Sequence, residues 1–311
     1  MKRPAVSVVC PLYNEEANVR LLVESVRAAL SGVVDWELIL VDDGSRDSTL
    51  LRAGDEAASD SRIRLVPLAR NYGQSTATQA GFDAARGTVV VTMDGDLQND
   101  PRDIPDLIAK LAEGYDLVAG YREERQDRFV TRKVPSRVAN LLIRLLTGVP
   151  IRDNGCSLKA YRRELILNLG LYSDMHRFIP ALAVGSWGAR IAQVPVRHHA
   201  RRFGESKYGL SRVWKVLTDL LTLIMLRWFS DRPLLMFAGG AVASMLVGVC
   251  FVIAAVLGHF EGGVGVVFPG VAVVAIGLSI YLLMLGLIAE TALYNYSDHR
   301  LQSRRFGRVV V

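Results

Sequence analysis

Two stretches without a single charged side chain, Leu234 to Leu257 and Val266 to Ala289, constrain this 311-residue chain more than any other feature. Each runs for 24 residues, and a helix rising about 1.5 Å per residue then crosses a hydrocarbon core of about 30 Å. A pair of buried core helices is the alternative, and the length argues against it. Arg212, Lys215, Arg227 and Arg232 precede the first stretch, and Arg300, Arg304, Arg305 and Arg308 follow the second. The intervening GHFEGGVG has no Lys or Arg, so the positive-inside rule places both chain ends in the cytoplasm, with a short loop outside. The expectation is a multi-pass protein of the inner (cytoplasmic) membrane. Its net charge of +6 is concentrated beside the spans and in segments able to meet phosphates, which points to a lipid bilayer and away from nucleic acid. The opening MKRPAVSVVCPLYNEE turns charged before an adequate apolar run, so no cleaved leader is expected. Cys10, Cys156 and Cys250 stand far apart and suggest neither a disulfide framework nor a zinc site.

Up to about Gly209 the pattern changes to that of an α/β domain. Short β-branched runs at Ala5 to Cys10, Glu37 to Val41, Ile63 to Leu68, Val89 to Val91 and Asp116 to Ala119 alternate with helical periodicities. In the first of those, Val19, Leu22, Val23, Val26 and Leu30 share one face, with Asn14 as the expected cap and Glu15 and Glu16 in the first turn. The third reaches Ala85, and another runs from about Ile104 to Glu113 behind Pro101. Such alternation predicts right-handed crossovers and a doubly wound, mostly parallel sheet.

The run VVVTMDGDLQND, Val89 to Asp100, is where chemistry is expected. Its apolar strand is central and covered on both faces, and it stops at Asp94 and Asp96 with only Gly95 between them. Open α/β sheets bind ligands beyond the carboxyl ends of their strands. Two carboxylates there can share one hard cation, Mg2+ or Mn2+ carrying a diphosphate, while Gly95 lets a ligand approach the backbone. A polar turn is the other reading of D-G. Neither GxGxxG after the first strand nor GxxxxGK[ST] occurs, which argues against a dehydrogenase-type dinucleotide site and against a P-loop. Asp43 suits a base N–H or ribose hydroxyl, or an Asx turn; Tyr13 suits base stacking, or a half-buried aromatic role.

PLYNEE, VDDGSRDST, RNYGQ, DGDLQNDP, GYR and RRFGESKYG, in this order, resemble the family 2 glycosyltransferases of the polyprenyl-phosphate branch, which include dolichyl-phosphate mannose synthase. RNYGQ, EGYD, GCSLKAYRRE, FIPALA and FGESKY are most similar to the bacterial enzymes that load glucose or formamido-arabinose onto undecaprenyl phosphate. The resemblance implies a GT-A-type fold and inverting transfer from a nucleotide-sugar donor, a UDP-sugar preferred, to polyprenyl phosphate. It puts Pro11, Tyr13, Glu15, Val41 and Asp43 at the nucleotide, Asp94, Asp96 and Gln98 at the metal and diphosphate, and Arg122, Arg201 and Lys207 at phosphates. Gly95 stands where alanine is common in the motif. A membrane polysaccharide synthase would bring more spans and a Q-x-x-R-W motif, and a non-catalytic scaffold would be expected to lose the acids.

Lys133 to Leu146 reads as a basic, partly apolar helix. Asp153 is then a candidate for touching the sugar or reacting centre, the alternative being a helix cap from Asp153 or Asn154. Arg162 and Arg163 read as a solvated face, and His198 and His199 as strand-end polar residues. The expected organisation is a catalytic domain over 1–208, an interfacial amphipathic helix over 209–230, transmembrane helices over 234–257 and 266–289, and a basic tail over 290–311. Gly240, Ser244 and Gly248 form a small-residue ridge suited to close helix packing and to a homo-oligomer.

Overall fold

The computed structural model describes residues 4–123, 148–167, 175–200, 232–260 and 266–306. The expected basic helix at 133–146, the interfacial helix at 209–230, and Arg201 and Lys207 lie outside the described residues. The chain divides into two compact units, Met1–Leu220 and Leu221–Val311.

The first unit is a seven-stranded sheet covered by helices. In chain order it contains β1 (Val6–Leu12), α1 (Val19–Leu30), β2 (Trp36–Asp42), α2 (Thr49–Ser59), β3 (Ile63–Pro67), α3 (Gln74–Ala84) and β4 (Val89–Thr92). A short 3-10 turn, Pro101–Asp103, leads into α4 (Ile104–Ala112), followed by β5 (Leu117–Arg122), β6 (Lys159–Arg162), α5 (Arg163–Ile166), a second 3-10 turn, Met175–Arg177, α6 (Ile179–Trp187) and β7 (Ile191–Val196). The strands lie in the order β3-β2-β1-β4-β6-β5-β7, and all pairings are parallel except those of β6. β2 is buried along its whole length, as a strand with helices on both faces must be. α1 buries Val19, Leu22, Val23, Val26 and Leu30, the stripe its periodicity predicts.

Several expectations need correction. β1 does not end at Cys10 but continues through Pro11 to Leu12, with Pro11 opposite Val41. Asn14 does not cap α1; it sits at φ 53, accepts from the Arg46 N–H and takes its own N–H to Ser45 Oγ, while the helix starts at Val19 after Asn18. Glu15 and Glu16 therefore precede the helix and lie outside its first turn. No helix begins at Asp153 among the described residues. Arg162 is exposed, as expected, with its guanidinium donating to the Tyr115 carbonyl, whereas Arg163 is half-buried and donates to the Ala85 carbonyl.

In the second unit, α7 (Pro233–Phe260) and α8 (Val267–Phe306) carry apolar stretches, Pro233–Gly258 and Val267–Leu293, long and apolar enough to cross a membrane. The small-residue ridge packs inside this hairpin. Ser244 Oγ donates to the Ala275 carbonyl at 2.8 Å, and a Cβ placed on Gly248 would come within 2.7 Å of Ile276. The Glu290 carboxylate accepts from the Leu234 N–H at 3.1 Å, so α8 supplies a cap to the first turn of α7. α8 runs on to Phe306, through most of the segment expected as a separate tail.

Candidate active site

β1 and β4 are neighbours in the sheet, but β2 and β3 continue to one side of β1 and β6, β5 and β7 to the other. Strand order reverses between β1 and β4, so a crevice opens beyond their carboxyl ends. Pro11 and Asp94 line one small cavity there, together with Gln74, Ser157, Lys159 and His176. Tyr13 and Glu15 follow β1, both half-buried, and the Glu15 carboxylate accepts from the Asn18 side-chain amide. Val41 is fully buried in β2, so its side chain belongs to the core and only its backbone lies near the strand end.

Asp43 is 3% exposed and organises the next loop. Its two oxygens accept from the backbone N–H groups of Tyr72, at 2.8 Å, and Gly73, at 2.9 Å. Burial raises its pKa, the two N–H groups pull it back down, and the neighbouring Asp42 charge adds to the rise. Gly73 takes φ 95, a conformation open to glycine at little cost, and delivers the chain directly into α3.

The acids beyond β4 are held by a strained turn. Leu97 sits at φ 61, unfavourable for a branched side chain, yet the turn allows the Gln98 N–H to donate to Asp96 Oδ1 at 3.2 Å. A Cβ on Gly95 would strike the end of the Leu12 side chain, so glycine lets the loop lie close on β1. Asp94 Oδ1 accepts from the Gln74 carboxamide at 2.7 Å. Burial, and then the Asp96 charge, push the Asp94 carboxyl up to about 6. Two carboxylates that repel each other at a strand end form a donor set that a divalent cation would relieve. Among the described residues no group of three or more His, Cys, Asp or Glu side chains could hold a metal by itself. The set therefore fits a Mg2+-like ion that takes one or two carboxylates from protein and the rest of its shell from phosphate and water. The Gln98 carboxamide nitrogen is turned to the His199 carbonyl at 3.3 Å.

Beneath these acids lies a second charged layer. Arg122 donates from Nε and Nη2 to the two oxygens of Asp153, at 2.6 and 3.0 Å. The Lys159 ammonium is 3% exposed and donates to the carbonyls of Asn154 and Cys156. Burial lowers its pKa, and the charges of Cys156, Asp153 and Asp94 oppose the fall.

The family model for Glycosyl transferase family 2 matches residues 7–170, which contain the DGD, Asp43, Gln74, Arg122, Asp153 and Lys159. The chain belongs to glycosyl transferase family 2. Among its relatives is the dodecaprenyl-phosphate galacturonate synthase of Rhizobium johnstonii, 48% identical over 231 residues, covering 73% of this chain and 68% of that one. The undecaprenyl-phosphate 4-deoxy-4-formamido-L-arabinose transferase of Shewanella sediminis is 39% identical over 308 residues, covering 97% and 91%. The glucosyl-3-phosphoglycerate synthase of Mycobacterium tuberculosis, solved with Mn2+, UDP and glucosyl-3-phosphoglycerate, superposes with a TM-score of 0.58 at 25% identity, over 72% of this chain and 80% of that one. The fold is therefore the GT-A-like α/β fold of these glycosyltransferases, followed by two apolar helices.

Within this family 2 site, several residues escape a reading of the sequence. Gln74 lies in RNYGQ, but nothing in the motif shows that it reaches Asp94. His199, expected only as a strand-end polar residue, donates its N–H to the Gln98 carbonyl at 2.8 Å, and its ring meets Asp100 at 3.0 Å. Asn99 and His198 form an isolated antiparallel bridge beside it. The loop after the DGD is thus zipped to the chain that leaves β7. The sequence gives no warning, because the two segments are about 100 residues apart.

Proposed function

We propose that this glycosyltransferase moves a sugar from a nucleoside diphosphate, a UDP-sugar in preference to GDP-mannose, to the phosphate of a membrane polyprenol such as undecaprenyl phosphate. The product would be a lipid-linked sugar for cell-envelope glycan or lipid modification. The observation that carries the reading is the pairing, in one chain, of a DGD site at the switch point with two helices long enough to cross a membrane. The names of the relatives, which act on undecaprenyl- and dodecaprenyl-phosphate, support the same acceptor. An acceptor whose hydrocarbon chain stays in the bilayer explains why the enzyme is anchored there, in the inner membrane, with its catalytic unit and both ends in the cytoplasm.

Each residue then has a task. Asp43 shapes the loop 72–74 for the base or ribose, beside Pro11, Tyr13, Glu15 and the Val41 backbone. Asp94 and Asp96, with Gln98 nearby, would hold Mg2+ or Mn2+, which would supply positive charge to the diphosphate leaving group. Asp153 orients the Arg122 guanidinium, a donor fork suited to phosphate. Arg201 and Lys207 would align the incoming phosphate with C1. A phosphate monoester with a second pKa of about 6 arrives ionised, so no strong general base is required. Attack opposite the leaving group inverts the anomeric centre.

The test is a screen of nucleotide sugars with polyprenyl phosphate and the full chain in detergent, scored by radiolabelled lipid product. One donor should give a chloroform-extractable glycolipid that disappears with EDTA and in the Asp96→Ala variant. Transfer that persists in EDTA would overturn the metal role. Glycan polymer in place of a monoglycosylated lipid would favour a polysaccharide synthase.

A further inference from the structure

The DGD site is joined to the nucleotide loop by one side chain. Gln74 opens α3, and its carboxamide nitrogen lies 2.7 Å from Asp94 Oδ1. Its backbone is fixed from both sides. The preceding Gly73 N–H is held by Asp43, and the Gln74 carbonyl accepts from Thr78 Oγ1 at 2.8 Å. A residue anchored next to the Asp43 clamp therefore reaches across the crevice to a carboxylate beyond β4.

The chemistry of this contact is specific. A carboxamide is neutral and keeps its N–H protons at any pH the protein tolerates, so it can fix a carboxylate rotamer without cancelling the charge a cation needs. An ammonium at the same place would repel that cation. The buried ammonium close by, Lys159, is instead hydrogen-bonded to the carbonyls of Asn154 and Cys156. With Asp94 ionised, only the NH2 end of the amide can face it, which settles the orientation of the group.

We propose that Gln74 is a positioning residue for the metal-binding carboxylate: it holds Oδ1 of Asp94, a carboxylate that the Ser157 hydroxyl also bonds, and it ties that geometry to the Asp43 loop. This rests on the function proposed above. Groups that orient metal ligands from behind are worth roughly ten- to a hundredfold in metal affinity.

The full chain in detergent is titrated with Mn2+, alone and with UDP, and free Mn2+ is followed by electron paramagnetic resonance. Gln74→Ala should bind Mn2+ about tenfold more weakly than wild type. Gln74→Asn, a methylene too short to reach, should match it. Both should keep a metal-free melting temperature within about 2 °C of wild type. Unchanged or tighter Mn2+ binding in Gln74→Ala would overturn the proposal, the latter because the amide would then be competing with the cation. Weaker binding accompanied by a clear fall in melting temperature would also overturn it, since Gln74 would then be merely securing the start of α3. A wild-type chain that binds Mn2+ in neither condition would overturn the metal reading itself, an outcome distinct from wild-type binding with no effect of Gln74→Ala.

Discussion

Arg122 and Asp153 show how one pair can be both scaffold and equipment. The guanidinium side chain is 15% exposed and the carboxylate 6%, and the two meet through parallel hydrogen bonds. A buried pair of this kind contributes little against an apolar substitute, but breaking it by removing one partner costs about 3 kcal/mol or more. Asp153→Asn should therefore lower the unfolding free energy by about that amount, measured by urea denaturation of the full chain in detergent. An Asp153 that served only the reacting centre would leave stability unchanged and abolish turnover alone. Leu97 is the complementary case. Its backbone at φ 61 is unfavourable by about 1–2 kcal/mol, and the turn it makes brings the Gln98 N–H onto Asp96. Strain of this sort marks the DGD loop as a place where position outweighs stability.

At the scale of elements, the second 3-10 turn is secured to α3 through His176. Its N–H donates to Ser75 Oγ at 3.2 Å, and its ring Nδ1 lies 2.8 Å from the same oxygen. Burial, and then the charges of Arg177 and Lys159, push its pKa from 6.5 down to about 3. Between those two values the unfolded chain takes up a proton that the folded chain refuses. Stability from this group is full above pH 6.5 and falls as the pH drops toward 3, by at most about 1.4 kcal/mol per unit. Between about pH 7.5 and about pH 5, wild type should lose up to about 2 kcal/mol more than His176→Phe in urea unfolding. Equal losses would mean that the ring is protonated in the folded state. This turn also shows where a sequence stops being legible. The α1 stripe and the buried β4 run could be read because the helix answers to cover on one face and the strand to cover on both. Asn14 could not, since its conformation answers to Ser45 and Arg46, about thirty residues away. β6 could not either: four residues, KAYR, carry too little pattern to announce an antiparallel strand between β4 and β5. The carboxylates Asp94 and Asp96 were legible from their spacing after β4, whereas the Gln74 contact depends on a loop that Asp43 closes through backbone N–H groups.

For the whole molecule, the division of labour between the two units is the property to test. The described groups of the candidate site, from Pro11 to His199, all lie in Met1–Leu220, and the helices fit to cross a membrane lie in Leu221–Val311. The α7–α8 hairpin uses its small residues internally, with Ser244 bonded to Ala275 and Gly248 packed against Ile276. A chain ended after about Phe229 should therefore still bind UDP in the presence of Mn2+, measured by calorimetry, with an affinity within a few-fold of the full chain. Its transfer activity should depend on the acceptor. A long-chain polyprenyl phosphate is confined to the bilayer, so the anchored enzyme meets it at high local concentration, and the truncated one must find it by adsorption. A short polyprenyl phosphate that dissolves in water offers no such advantage to the anchor. Truncation should lower turnover with the long acceptor by at least about tenfold more than with the short one. An equal fall with both, with UDP binding intact, would mean that residues after Phe229 help to form the acceptor site, and the two units would then share the chemistry.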